Sequence, residues 1–176
     1  LRWSRGRGAI AAPSPPGAAA TMKTQHPVLR LTITLALSAT AFAASAQGVA
    51  ATLPVAELGA GMYRIEAEVA HTAEARQTGL MHRVAMPLHR GMVFVFTEET
   101  AHCMWMRNTH LPLSVAFIDA GGRILNIERM APRTEDNHCA AAPARFALEM
   151  NAGWFEERGI APGTVLRGID RLPAAR

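Results

Sequence analysis

The segment "CMWMRNT", Cys103 to Thr109, places a thiol, two thioethers, an indole, a guanidinium and an amide within seven residues. Read as a strand, it sends His102, Met104 and Met106 to one side and Cys103, Trp105 and Arg107 to the other. One reading makes Trp105 or Met106 a pocket wall, with Asn108 and an arginine supplying polar contacts. The other puts both apolar residues in the core and leaves Asn108 and Thr109 as the turn before Pro112.

Glu149 poses a sharper question. In "RFALEM" it alternates against Phe146, Leu148 and Met150, and a carboxylate on a strand beside the core needs a partner. Arg76 and Arg83 are the natural candidates, and a guanidinium fork on the carboxylate would tie an early helix to the sheet. The same groups could instead line a pocket for a polar ligand.

Methionines at 62, 81, 86, 92, 104, 106, 130 and 150, with His82, His89, His102 and His110, raise copper(I), since soft thioethers select it. No tight ligand motif accompanies them, and methionine also serves as core filler. Glu135, Asp136 and His138 could hold a hard metal but also fit a solvated loop. Hydrolytic classes find little support. Downstream of residue 46 Ser114 is the one serine, there is no Gly-x-Ser-x-Gly elbow, and neither phosphate-loop nor zinc spacing occurs. A hydrolase using Glu149 stays open, because its partners need not be sequence neighbours. No cofactor is expected.

Cys103 and Cys139 are the chain's two cysteines, and their expected state depends on compartment. From Met22, "MKTQHPVLRLTITLALSATAFAASAQG" has a basic start, an apolar run of about 12 residues and a small-residue Ala44-Ser45-Ala46 end. Residues 22–46 therefore read as a signal peptide cleaved after Ala46, the run being short for a membrane span; a retained anchor is the alternative. Residues 1–21 read as a non-native or disordered extension. Periplasmic or secreted localisation follows, with no stable membrane insertion after cleavage, and in that setting a Cys103–Cys139 disulfide is expected over free thiols or metal ligands.

The leader also accounts for the formal charge of +4. Arg2, Arg5, Arg7, Lys23 and Arg30 lie upstream of residue 47, which leaves 13 Arg against 14 Asp+Glu in the remaining chain. That balance offers phosphates no basic face, so nucleic acid is not an expected partner. About 130 residues remain, enough for one core.

Along that remainder, residues 47–61 read as a linker and residues 62–176 as a single β-rich domain. "YRIEAEVA" alternates as a half-buried strand, Thr72 can cap a short helix that Gly79 stops, and "MVFVF" is a buried strand. "SVAFIDAGGRILNIERM" is a hairpin, residues 131–144 a polar loop, "RFALEM" a strand, and "NAGWFEERGI" a short helical piece ending at Gly159. "APGTVLRGI" is a turn into a last strand. Short strands with one or two short helices argue for a sandwich or barrel.

Three blocks, "RQTGLMHRVAMPLHRGMVFVF", "MWMRNTHLPLSVAFIDAGGRILNI" and "FALEMNAGWFEERGI", resemble in order and spacing the family catalogued as domain of unknown function 192. The resemblance covers about Met62 to Gly168. It implies a compact, mainly β, jelly-roll-like sandwich or barrel, often exported, with no established activity. The positions it implies as typical are Arg76, Gly79, Leu80, Met81, Arg83, Gly91, Met92, Trp105, Met106, Asn108, Thr109, Pro112, Leu148, Glu149 and Gly153. The chain departs from the pattern at Ser114 and Thr164, where the family usually has Asp, so a carboxylate role at either is in doubt.

The expectation is thus an exported, non-catalytic binding or accessory module for a small-molecule or protein ligand. Its candidate site is Arg76, Met81, Arg83, Met92, Trp105, Met106, Asn108 and Glu149. A periplasmic copper protein and a hydrolase using Glu149 are the alternatives.

Overall fold

The computed structural model describes residues 52–176; the expected leader, the upstream extension and the start of the expected linker lie outside the described residues. Seven strands form one sheet in the order β6-β5-β8-β3-β2-β1-β9: β1 Val55–Ala60, β2 Tyr63–Ala70, β3 Arg90–Thr100, β5 Leu113–Ile118, β6 Ile124–Met130, β8 Ala144–Asn151 and β9 Leu166–Arg167. A separate ribbon pairs β4, Cys103–Met104, with β7, His138–Cys139. The helical pieces are α1, Ala73–Thr78, and single 3-10 turns at Glu156–Arg158 and Ile169–Arg171. The protein is mainly β, and its sheet curls into a half-barrel. Residues 163–166 strap its two ends together: Leu166 pairs with Ala60 of β1, while Ile124 of β6 donates to the Thr164 carbonyl at 2.8 Å and accepts from the Gly163 amide at 2.8 Å.

Alternation along the central strands divides the apolar residues between two faces. Phe146, Leu148 and Met150 of β8 join Val93, Val95, Ile65 and Trp154 in one core. Ala147 of β8 joins Met92, Phe94, Phe96, Val115 and Phe117 in the second, together with Leu80, Met106 and Leu111 from outside the sheet. The second face is roofed for a topological reason. β2 and β3 pair in parallel, and parallel neighbours cannot be joined by a tight turn. The crossover between them carries α1, with Thr72 Oγ1 accepting the Ala75 amide at its start and Gly79 ending it.

The ribbon supplies the other half of the roof. Cys103 and Cys139 are joined in a disulfide, which closes a loop spanning 36 positions of sequence. In the chain-entropy account such a crosslink contributes about 3 to 4 kcal/mol. Cys103→Ser together with Cys139→Ser is therefore expected to lower unfolding stability by about that amount, read from urea melts of oxidised and variant protein. A change under about 1 kcal/mol would show that the ribbon holds without its crosslink.

Three expectations are corrected. The linker contains a strand, because Val55–Ala60 pairs with β2 on one side and β9 on the other and buries Leu58 and Ala60. A side chain at Gly59 would meet the Arg167 guanidinium at 2.9 Å, the movable end of a flexible side chain. The polar loop 131–144 contains β7. The alternation assumed for "CMWMRNT" holds for two residues only. Beyond Met104 the chain turns, with the Met106 amide bonded to the Thr134 carbonyl at 3.1 Å and Asn108 left-handed at φ 55°. Asparagine is among the few residues that tolerate that region.

Candidate functional site

Between α1, the 101–109 loop and the second face of the sheet lies a cleft of about 340 Å³. Each wall follows from the elements just described. α1 and its exit present Arg76, Gln77, Thr78, Leu80 and Met81; the crosslinked ribbon and its flanks present His102, Cys103, Met104, Trp105 and Thr109; β3 supplies Phe94 and Phe96. Glu149 of β8 also lines it.

Glu149 is the unusual member. Its backbone lies in register with Met92 of β3 and Val115 of β5, so its side chain rises from the middle of the sheet between two apolar neighbours. It is 4% exposed, and none of the side-chain hydrogen bonds or ion pairs among the described residues involves its carboxyl group. Desolvation pushes the group up to about 8, because burial penalises the charged form and nothing compensates it. At neutral pH the cleft therefore contains a carboxylic acid rather than a carboxylate. It can donate one hydrogen bond, or give up its proton to a partner that supplies positive charge.

The expected arginine partners are engaged elsewhere, which corrects the ion-pair reading of Glu149. Arg83 grips Glu68 of β2 with both terminal nitrogens, each at 2.5 Å, and that hydrogen-bonded fork holds the Glu68 carboxyl below its usual range. The pair ties the crossover to β2 and lies outside the cleft. Arg76 donates to the carbonyls of His71 at 2.8 Å, Val95 at 3.0 Å and Arg176 at 3.4 Å. It reaches β3 where the β3–β8 register slips, between Val95 and Thr100, and satisfies a carbonyl there. A guanidinium fastened to backbone oxygens stitches α1 to the sheet, and its charge stays beside the cleft.

Of the eight candidate positions, Arg76, Met81, Trp105 and Glu149 line this cleft. Met92 and Met106 are fully buried, Met92 beneath the cleft beside Glu149 and Met106 within the second core. Asn108 is an exposed turn residue whose carbonyl accepts the His82 amide at 2.9 Å, which fastens the ribbon side of the roof to the crossover side. Trp105 remains 45% exposed at the rim, with the Arg107 guanidinium 4.3 Å from its ring centre. Arg107 also forks onto Glu135, at 3.0 and 3.1 Å, so that carboxylate is an ion-pair partner.

Sequence reading missed Phe94, Phe96 and Thr109 as lining residues. Phe94 and Phe96 follow Met92 at intervals of two and so share its face, a signal present in "MVFVF" but masked because every residue of that run is apolar. His102 stacks on Phe96, with ring centres 3.8 Å apart, and its Nε2 lies 2.8 Å from the Glu98 carbonyl.

Fold and cleft together define a small curled-sheet β protein whose crossover and disulfide ribbon roof a buried acid. The chain belongs to the family domain of unknown function 192, described as Uncharacterized ACR, whose profile matches residues 55–168. It is similar to a protein of Sinorhizobium meliloti 1021 that carries a provisional transcription-regulator name, with 35% identity and a TM-score of 0.61 over 65% of this chain and 92% of that one. It is also similar to a protein of unknown function from Novosphingobium aromaticivorans DSM 12444, with 29% identity and a TM-score of 0.64 over 67% and 88% of the two chains. Among curated proteins none matches.

Proposed function

We propose that this protein is an exported binding module that takes a small organic molecule into the cleft above Glu149. One observation carries the reading: a carboxyl group buried without a partner faces a cleft of a size that suits a small ligand. Such a group costs stability where it stands, and its natural compensation is a bound molecule. The disulfide supports export, since crosslinks of this kind persist in oxidising compartments. The regulator name of the S. meliloti neighbour is not carried over, because 13 Arg against 14 Asp+Glu from residue 47 onward give no excess of positive charge for phosphates.

The test is amide NMR of the purified exported protein against a panel of small amines, carbonyl compounds, sugars, short peptides and copper(I). Compounds that bind should perturb a shared set including Gln77, Thr78 and Thr109, and Glu149→Gln should change their affinity at least tenfold. Binding confined to other surfaces, or unaffected by that substitution, would remove the cleft from consideration. Copper(I) is the second reading, because the thioethers of Met81 and Met104 and the His102 imidazole line the same cleft. Response to copper alone, lost in Met81→Leu, would favour it. Hydrolysis by a carboxylate pair lacks support, since Glu149 is the sole carboxylate among the cleft-lining residues.

A further inference from the structure

The binding reading leaves the chemical class of the ligand open, and the walls of the cleft narrow it. We infer, resting on that reading, that the cleft selects a small organic cation, an alkyl- or aryl-ammonium whose positive centre pairs with Glu149 while its apolar body packs against the aromatic and thioether walls. Three observations point the same way. The carboxyl group on the floor forms no ion pair with a described residue, Arg83 and Arg107 being held by Glu68 and Glu135. Phe94, Phe96 and Trp105 line the cleft with aromatic rings, Phe96 stacked on His102 and Trp105 carrying Arg107, and Met81 and Met104 add sulfur, a lining that suits an apolar body bearing a positive charge. The one guanidinium in the wall, Arg76, has its hydrogen-bonding directions turned to backbone carbonyls, so it is poorly placed to grip an anionic ligand. The volume, about 340 Å³, suits an organic molecule rather than a bare ion. Among the described residues no three His, Cys, Asp or Glu side chains come together as a metal site.

Binding must then be linked to proton release. An ammonium pairs with the carboxylate form, whereas the empty cleft holds the acid. The charged or titratable groups that share the cleft with Glu149 are Arg76, from the α1 side, and His102, from the ribbon side; β3 and β5 place Met92 and Val115 beside it. His102 shares the cleft, so the test separates Glu149 from it by substitution.

The experiment titrates the purified exported protein with benzyltrimethylammonium, whose charge is fixed, alongside benzyl alcohol and benzoate, by calorimetry from pH 6 to 9. The cation is expected to bind at least tenfold more tightly than either comparison compound at pH 8.5. Its affinity should rise about tenfold per pH unit below the carboxyl's midpoint and level off above it. At pH 7 close to one proton should be released per cation bound, read from the dependence of the heat on buffer ionisation. Glu149→Gln should lose both the preference and the pH slope while still admitting benzyl alcohol.

Equal or tighter binding of the alcohol or of benzoate overturns the cation assignment and leaves the binding module standing. A pH slope that survives in Glu149→Gln overturns it as well, because a group other than Glu149 would then be responsible. If none of the three compounds perturbs the cleft, the cation assignment also falls, and the wider panel decides the binding reading separately. The pH series on unsubstituted protein keeps the inference testable even if the variant folds poorly.

Discussion

Glu149→Gln is expected to make the protein more stable at pH 8 by several kcal/mol, and to change its stability little at pH 4. In the unfolded chain the carboxyl ionises near its ordinary value of 4.5, whereas in the folded protein burial delays ionisation to about 8. Between those values the folded state holds a proton that the unfolded state has lost. Unfolding therefore becomes easier as pH rises through the window, by about 1.4 kcal/mol per unit. Stability linked to this group is greatest below pH 4.5, declines up to about pH 8 and is level beyond, for a total on the order of 5 kcal/mol. Glutamine has nearly the same shape and does not titrate, so its pH profile lacks this decline. Urea unfolding of both proteins from pH 4 to 9 measures the difference. Parallel profiles would mean that Glu149 ionises normally in the fold, and the buried-acid account would be lost. A gain in stability from removing a buried acid is also an argument about function, since sites built for chemistry or binding commonly lower the stability of the fold that carries them.

The second large effect is expected at a glycine. A Cβ on Gly91 would overlap the Met150 sulfur and stand 2.5 Å from the Glu149 carbonyl oxygen. The thioether can swing aside, but the carbonyl belongs to the central strand and cannot move without parting β3 from β8. Gly91→Ala should therefore cost about 3 kcal/mol or more, at the upper end of overpacking effects. It should also displace Glu149, one position along from Met150. Gly61 makes the contrast. Its φ of 56° disfavours a side chain, yet nothing lies within 4 Å of the added carbon, so Gly61→Ala should cost only about 1 kcal/mol. Comparable losses at the two positions would show that close strand approach is not what requires Gly91.

How much of this was legible in the sequence differs from element to element. The strand "YRIEAEVA" was readable because only one of its faces is buried, so alternation in hydropathy survives. The Thr72 cap, the Gly79 stop, the β5–β6 hairpin and the turn ending at Gly159 were readable because local chemistry specifies them. The strand Val55–Ala60 was not, because its small residues lack the β-branched signature and its pairing with β9 spans more than 100 positions. The parallel pairing of β2 and β3 was equally hidden, since periodicity reports burial and not partners.

The same division applies to the cleft. Glu149 could be singled out as a carboxylate among large apolar residues, a local contradiction visible without coordinates. Its lack of a partner could not, because that depends on where Arg76 and Arg83 end. Arg83 is drawn off by Glu68, and Arg76 by carbonyls where the β3–β8 register slips, and neither destination is encoded near the arginine itself. Asn108 read as a site residue from its amide; the fold uses it for its tolerance of a left-handed turn.

A carbon-13 titration of the glutamate side-chain carboxyls, with the Glu149 resonance assigned by Glu149→Gln, bears most directly on the uncharged acid at the floor of the cleft. The predicted result is that the Glu149 carboxyl is still protonated at pH 7, with its midpoint near 8. A Glu149 midpoint between about 4 and 5 would contradict the account, because the carboxyl would then be charged and either solvated or paired at neutral pH.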